Sequence, residues 1–231
     1  MTANTIALVF DGDQTLWDFR SALDRALADT RVEICRITGT PLDAIPTIAE
    51  ITAHRDHVAL QTSGARLEAI RRESFARILG EIGVPASEET VMRVTQFFLG
   101  RRHEMCRPYA DSVPALRALK GTYQLVLLSN GNSQPEHMGL GGLFDYTFFA
   151  DDVGAEKPSP QAFAHVVNSC PATTFFSIGD SLEHDIDGAQ ACGWKTVWIN
   201  RDGRALPEYF RPDATLSNLT GLSEVVERLS G

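Results

Sequence analysis

From about residue 107 the chain alternates short apolar runs with helix-like stretches, and this alternation restricts its fold more than any other feature. YQLVLLS (123–129), YTFFA (146–150), TTFFSI (173–178) and KTVWIN (195–200) are near-continuous apolar runs of strand length. Such runs fit strands covered on both faces. PQAFAHVVNS (160–169) and EHDIDGAQAC (183–192) lie between them with helical spacing. A further helix is expected over 112–120, with Pro114 in its first turn and Gly121 at its end. Strand–helix alternation implies right-handed crossovers and a doubly wound parallel sheet.

One strand stands apart. Residues 6–10 form a fifth apolar run, but no convincing strand follows it until after residue 106. The interval instead holds ALDRALADTRVEICRIT, AIPTIAEITAHRDHVALQT, ARLEAIRRESFARILGEIG and SEETVMRVTQFFLGRRHEM. Each has apolar residues at three-and-four spacing, the pattern of an amphipathic helix. Pro41, Gly64 and the VPASEE segment separate them, and Ser87 followed by Glu88 and Glu89 marks a helix start. The expected architecture is therefore α/β: a Rossmann-like doubly wound core of residues 1–16 and 107–231, with an all-α insertion of about four helices over 17–106.

The formal net charge of −9 argues against a sequence-independent grip on nucleic acid or on an anionic membrane, since both require clustered cations. It leaves room for a small anionic substrate held by a local positive site. Cys35, Cys106, Cys170 and Cys192 show neither CxxC pairing nor metal-ligand spacing, and read as reduced thiols. The N-terminal apolar run is too short for a signal peptide or a membrane span. A cytoplasmic protein is the expectation, and the Asn218-Leu219-Thr220 sequon is then coincidental.

Ligands of open α/β sheets bind beyond the carboxyl ends of the strands, so the residues that end each strand carry most information. The first run ends in Asp11 and Asp13, separated by Gly12; the second ends in Ser129 and Asn130; TTFFSI ends in Gly179 and Asp180, with Asp185 five residues on. Lys157 follows the third run and directly precedes Pro158. Helix capping explains an isolated Asp, Ser or Asn after a strand, but not paired aspartates, and not the lysine. Ser159 and Pro160 read as the N-cap and first position of a helix, so Lys157 sits against the positive end of a macrodipole. A phosphate, or the carboxylates of a site, would remove that penalty.

DGDQT after an apolar strand, Ser129 after a second, Lys157 before Pro158, and GDSLEHD (179–185) resemble the four ordered motifs of the haloacid dehalogenase (HAD) superfamily. The helical insertion between the first and second motifs resembles that superfamily's helical cap. The resemblance implies a hydrolase in which Asp11 attacks phosphorus to form an aspartyl-phosphate. Asp13 would protonate the leaving oxygen and then deprotonate the hydrolytic water. It implies Mg²⁺ held by Asp11, the Asp13 carbonyl and Asp180, with Asp185 a ligand or a partner of the ligands. Ser129, Asn130 and Lys157 would bind the transferring phosphoryl oxygens. Two positions depart from the usual pattern: Gly12 stands where relatives often carry a bulkier residue, and Gln14 where they often carry Gly or Asp.

An acid–base aspartate at position 13 favours phosphate esters over carbon–halogen bonds, because a halide leaves without a proton. The expected activity is Mg²⁺-dependent hydrolysis of a small phosphorylated metabolite: a sugar, nucleotide or organic-acid phosphate. The alternatives are a phosphomutase on the same core or a non-catalytic binding or sensor protein. In the insertion, Trp17, Asp18, His54, Arg55, His57, Arg66, Arg71 and Arg72 are candidates for contacting substrate, with Trp17, His54 and Arg66 foremost. Trp17 fits equally a packing residue and a platform for a flat substrate, and adjacent Arg71 and Arg72 cannot share a helix face. Neither a monomer nor a homodimer is favoured by the sequence.

Overall fold

The computed structural model describes residues 5–62 and 64–231. In chain order its main elements are β1 (Ile6–Phe10), α1 (Phe19–Thr38), α2 (Ile48–Gln61), α3 (Leu67–Glu81), α4 (Glu88–Met105), α5 (Ser112–Leu119) and β2 (Gln124–Ser129). There follow β3 (Tyr146–Phe149), α6 (Ala150–Val153), α7 (Pro160–Ser169), β4 (Thr174–Gly179), α8 (Gly188–Ala191), β5 (Lys195–Ile199), β6 (Ala214–Leu216) and α9 (Leu222–Ser230). The chain divides into two compact units, Met1–Asp18 with Arg107–Gly231, and Phe19–Cys106.

The first unit is a six-stranded, wholly parallel sheet in the order β3-β2-β1-β4-β5-β6, a Rossmann-like winding. The apolar runs form strands because both faces are covered. Ala7, Val9, Val126, Leu128 and Phe175 pack with Phe163 and Val166 of α7 and with Trp194 on one side. Leu8, Phe10, Leu125, Leu127, Phe176 and Ile178 alternate to the other face and are equally buried. The chain winds outward from β1 to β2 and β3, then restarts at β4 on β1's other flank. Register is tight across this switch: Phe10 pairs with Leu127 on one side and with Ile178 on the other. Both edge strands are short, and an aspartate precedes each. Asp145 accepts from Leu125 N at 2.8 Å, and Asp213 accepts from Thr196 N at 2.8 Å.

Two stretches differ from the periodicity-based reading. The segment expected as one helix over 183–192 opens as a π turn, Leu182–Asp187, before α8. The widening has a local cause: Ser181 O accepts from both Asp185 N and Ile186 N, while the Asp185 carboxylate turns back to Ser181 N. Ser159 does precede the helix that Pro160 opens, but its hydroxyl contacts Gln161 Oε1 and makes no cap bond.

The helical unit has its own core, in which Ala26, Leu27, Ile34, Ile51, Phe75, Ile78, Val94 and Phe98 interlock. Two of its helices start on side-chain caps. Thr47 and Glu50 form a reciprocal capping box at α2, and Ser87 Oγ accepts from Thr90 N at α4. Among the described residues no helix is long and apolar enough to cross a membrane.

Ile34 is fully buried in that core. Ile34→Ala should destabilise the protein by about 2–5 kcal/mol, read as a lower urea midpoint with an unchanged slope; a midpoint within error of the wild type would show that this core does not limit stability.

Candidate active site

The carboxyl ends of β1, β2 and β4 meet where the sheet's winding reverses, the place where open α/β sheets bind ligands. A cleft of about 220 Å³ opens there, walled by Asp11, Asp13, Ser129, Lys157, Asp180 and Asp185, and by Gln14, Asn130, Gly131, Ser181 and His184.

Lys157 occupies the centre. Its ammonium is 3% exposed and donates to Asp11 Oδ1 at 2.8 Å and to Asp185 Oδ1 at 2.6 Å. The backbone of Lys157 is fixed as firmly as its head: Asn130 Nδ2 donates to Lys157 O, and Lys157 N donates to Asn130 Oδ1, both at 2.8 Å. The Asn130 side-chain amide is thus committed to positioning the lysine. Asp185 is likewise committed, one oxygen to Lys157 and the other to Ser181 N at 3.0 Å. A Cβ at Gly179 would fall 2.2 Å from the Asp185 carboxyl, so that glycine makes room for the aspartate. Ser129 Oγ accepts from Gly131 N at 3.1 Å, which leaves its proton for an incoming acceptor.

The cluster is short of positive charge. One carboxylate oxygen each from Asp11, Asp180 and Asp185 lies within 4.8 Å of the others; Lys157 supplies the buried compensating cation, and the more exposed Arg204 lies 3.6 Å from Asp180 Oδ2. Burial raises the Asp11 carboxyl well above the usual carboxylate range, and Asp185 and Asp180 reinforce this against the pull of Lys157. Burial acts to lower the Lys157 ammonium, but Asp11 and Asp185 outweigh it and hold the group protonated. An all-oxygen donor set with excess negative charge fits a hard divalent cation. Behind the cluster, Asp180 O accepts from Trp198 Nε1 at 2.9 Å and from Arg204 Nη2 at 2.7 Å.

The loop after β1 is pinned where the helical segment departs and returns. Leu16 O accepts from Tyr109 N at 3.0 Å and from Ser112 Oγ at 2.6 Å, and Asp18 N donates to Arg107 O at 3.1 Å. Arg201 lies 3.8 Å over the Tyr109 ring, pairs with Asp111 and donates to Thr15 O. Gln14 takes a left-handed conformation, φ 64°. Gly or Asp would tolerate that geometry better.

The remaining candidates scatter. Trp17 is fully buried within the sheet unit, its indole Nε1 donating to Asp13 Oδ1 at 2.6 Å, which excludes an exposed platform. His54 pairs with Glu81, Arg72 with the exposed Glu88, and Arg66 is exposed at the start of α3. Arg55, Arg71 and Arg102 line a separate, largely apolar cavity of about 230 Å³ within the helical unit. Gln14, Ser181 and His184 belong to the cleft although no expectation named them. His184 and Ser181 lay inside the GDSLEHD stretch, and the wide turn is what brings them to the cleft wall.

Comparison with known proteins agrees with this geometry. The family described as haloacid dehalogenase-like hydrolase matches residues 7–193. Pyrimidine 5′-nucleotidase YjjG of Escherichia coli is 26% identical over 230 residues, covering 95% of this chain and 96% of its own. The structure of a 2-haloacid dehalogenase from Pseudomonas syringae superposes with a TM-score of 0.84 at 27% identity, covering 97% of this chain and 99% of that one. YfnB of Bacillus subtilis, solved bound to magnesium, superposes at 0.72 with 23% identity over 96% of this chain and 99% of its own.

The raised Asp11 carboxyl has a consequence for stability. The folded state binds more protons than the unfolded one from about pH 4 up to the raised value, so stability falls as pH climbs through that window. Without divalent cations, the melting temperature of Asp11→Asn should gain on that of the wild type from pH 4 toward neutrality; a difference that stays flat across this range would contradict the assignment.

Proposed function

The chain belongs to the haloacid dehalogenase-like hydrolases, and on that premise we propose that it is a Mg²⁺-dependent phosphomonoesterase of small phosphorylated metabolites. The observation that carries this reading is Asp13, a second carboxylate two residues beyond Asp11 in the same cleft. A phosphate ester needs a proton on its departing oxygen, and a halide does not.

In the proposed reaction an Asp11 carboxylate oxygen attacks phosphorus, and the bond from phosphorus to the ester oxygen breaks as Asp13 donates a proton to that oxygen. Asp13, now ionised, takes a proton from water, whose oxygen attacks the aspartyl-phosphate. The bond between phosphorus and the Asp11 oxygen breaks, returning the Asp11 carboxylate and inorganic phosphate. Lys157 keeps Asp11 from repelling the incoming dianion, and Ser129 Oγ–H and the neighbouring backbone amides receive the phosphoryl oxygens. Asp11, Asp180 and the Asp13 carbonyl would hold Mg²⁺, which neutralises phosphoryl charge and supports ionisation of Asp11. Asp185, tied to Lys157 and Ser181, fixes the lysine from behind.

YjjG's description as a pyrimidine 5′-nucleotidase supports testing nucleoside monophosphates first. The four cysteines form no disulfide, which supports a reducing, cytoplasmic setting. A second reading, hydrolysis of 2-haloacids, is favoured by the superposition on the Pseudomonas syringae dehalogenase.

Purified protein should release phosphate from p-nitrophenyl phosphate with Mg²⁺ and stop with EDTA, and Asp11→Asn should lower kcat at least about a thousandfold. Chloride release from 2-chloropropionate, without phosphate release from any ester, would reverse the choice between the two readings. Robust turnover under strict chelation would remove the metal from the reaction.

A further inference from the structure

Trp17 and Gly12 are explained neither by the fold's periodicity nor by the family motifs. The loop folds the indole back on itself. Gly12 O accepts from Leu16 N at 2.8 Å and from Trp17 N at 3.3 Å, and Gln14 N donates to Trp17 O at 2.8 Å. The ring then lies so close to residue 12 that a Cβ there would stand 2.3 Å from Trp17 Cζ2. Gly12 has no positive φ, so this position needs glycine for room rather than for backbone freedom. The departure at position 12 and the tryptophan at 17 are therefore one feature.

Its product is the bond from indole Nε1 to Asp13 Oδ1, a short charge-assisted contact at 2.6 Å. A carboxylate on a short loop otherwise swings about a broad, two-fold torsion. The indole nitrogen only donates, so Oδ1 is kept as an acceptor and the transferable proton is confined to Oδ2. That second oxygen points to the phosphoryl end of the cleft, since a Cβ at Gly131 would lie 2.7 Å from it and Gly131 N donates to Ser129.

We propose that Trp17 is a positioning residue for the acid–base step, holding Asp13 so that Oδ2 meets the leaving oxygen, and that Gly12 exists to admit its ring. This rests on the phosphomonoesterase reading above. The test compares kcat/KM, which ends at departure of the leaving group, for an alkyl phosphate that needs the proton and for p-nitrophenyl phosphate, which scarcely does. Trp17→Phe should fall on the order of 10²-fold with the alkyl ester and only about threefold with the aryl ester. Gly12→Ala, which displaces the ring, should reproduce that split, and in a Trp17→Leu background it should add nothing. Equal losses on both esters, or additive effects of the two substitutions, would overturn the role of Trp17 while leaving the phosphatase reading intact. A wild-type chain that releases phosphate from neither ester overturns both. The contact itself is read without turnover: the Trp17 indole resonance in a ¹H–¹⁵N spectrum of the full chain should move on Asp13→Asn, and an unmoved resonance removes the contact.

Discussion

A buried ammonium held between two carboxylates is the constraint on which the rest of this structure depends. Taking Lys157 out of water is expensive, and it stays charged because Asp11, at the end of β1, and Asp185, in the π turn after β4, both face it. The arrangement is rigid because every member is held twice. Asn130 fixes the lysine's backbone from the end of β2, Ser181 N fixes Asp185, and Asp11 N donates to Ile178 O across to β4. The strand ends are thereby locked at the level where the sheet reverses direction. Removing the lysine would leave Asp11 and Asp185 without the buried cation they share.

The same economy governs the connection that leads out of β1. Between Asp13 and Asp18 the chain makes a tight loop whose carbonyls are claimed by Tyr109, Ser112 and Arg201. Those donors come from the segment where the chain re-enters the sheet unit and from the loop after β5. Burial and the Asp18 carboxylate push the Tyr109 hydroxyl up to about 12, against the pull of Arg201, and the neutral hydroxyl accepts from Gln14 Nε2 at 3.3 Å. An 88-residue helical unit, Phe19–Cys106, can thus be carried between β1 and α5 without loosening the aspartates next to its exit.

Much of the core was legible because burial on both faces writes a strand as an unbroken apolar run. β1, β2 and β4 could be placed to within a residue, and with them the positions of Asp11, Ser129 and Asp180. What periodicity does not encode is where a side chain points once the chain leaves a regular element. Asn130 looked like one more polar residue at a strand end, yet its amide serves the Lys157 backbone. Trp17 could equally have been a platform or a packing residue, and only the backbone bonds within its loop decide between them. The wide turn after Asp180 escaped for a related reason: a helix of ordinary pitch and a π turn share the same apolar spacing over six residues, and the difference lies in an aspartate reaching back to its own cap. β6 was missed because three residues flanked by polar loop carry too little pattern, and its pairing with β5 is what makes it a strand.

The short outer strands have a bearing on how the protein behaves at high concentration. A sheet edge is a template for pairing with another chain, and its hazard grows with the length of unpaired backbone it displays. Here that backbone is four residues long at β3 and three at β6. The aspartate preceding each, Asp145 and Asp213, reaches inward to the N–H of the adjacent strand. An incoming strand would find few partners and a carboxylate at the entrance, so the sheet that aligns the cleft in its middle resists becoming the seed of a larger one at its margins.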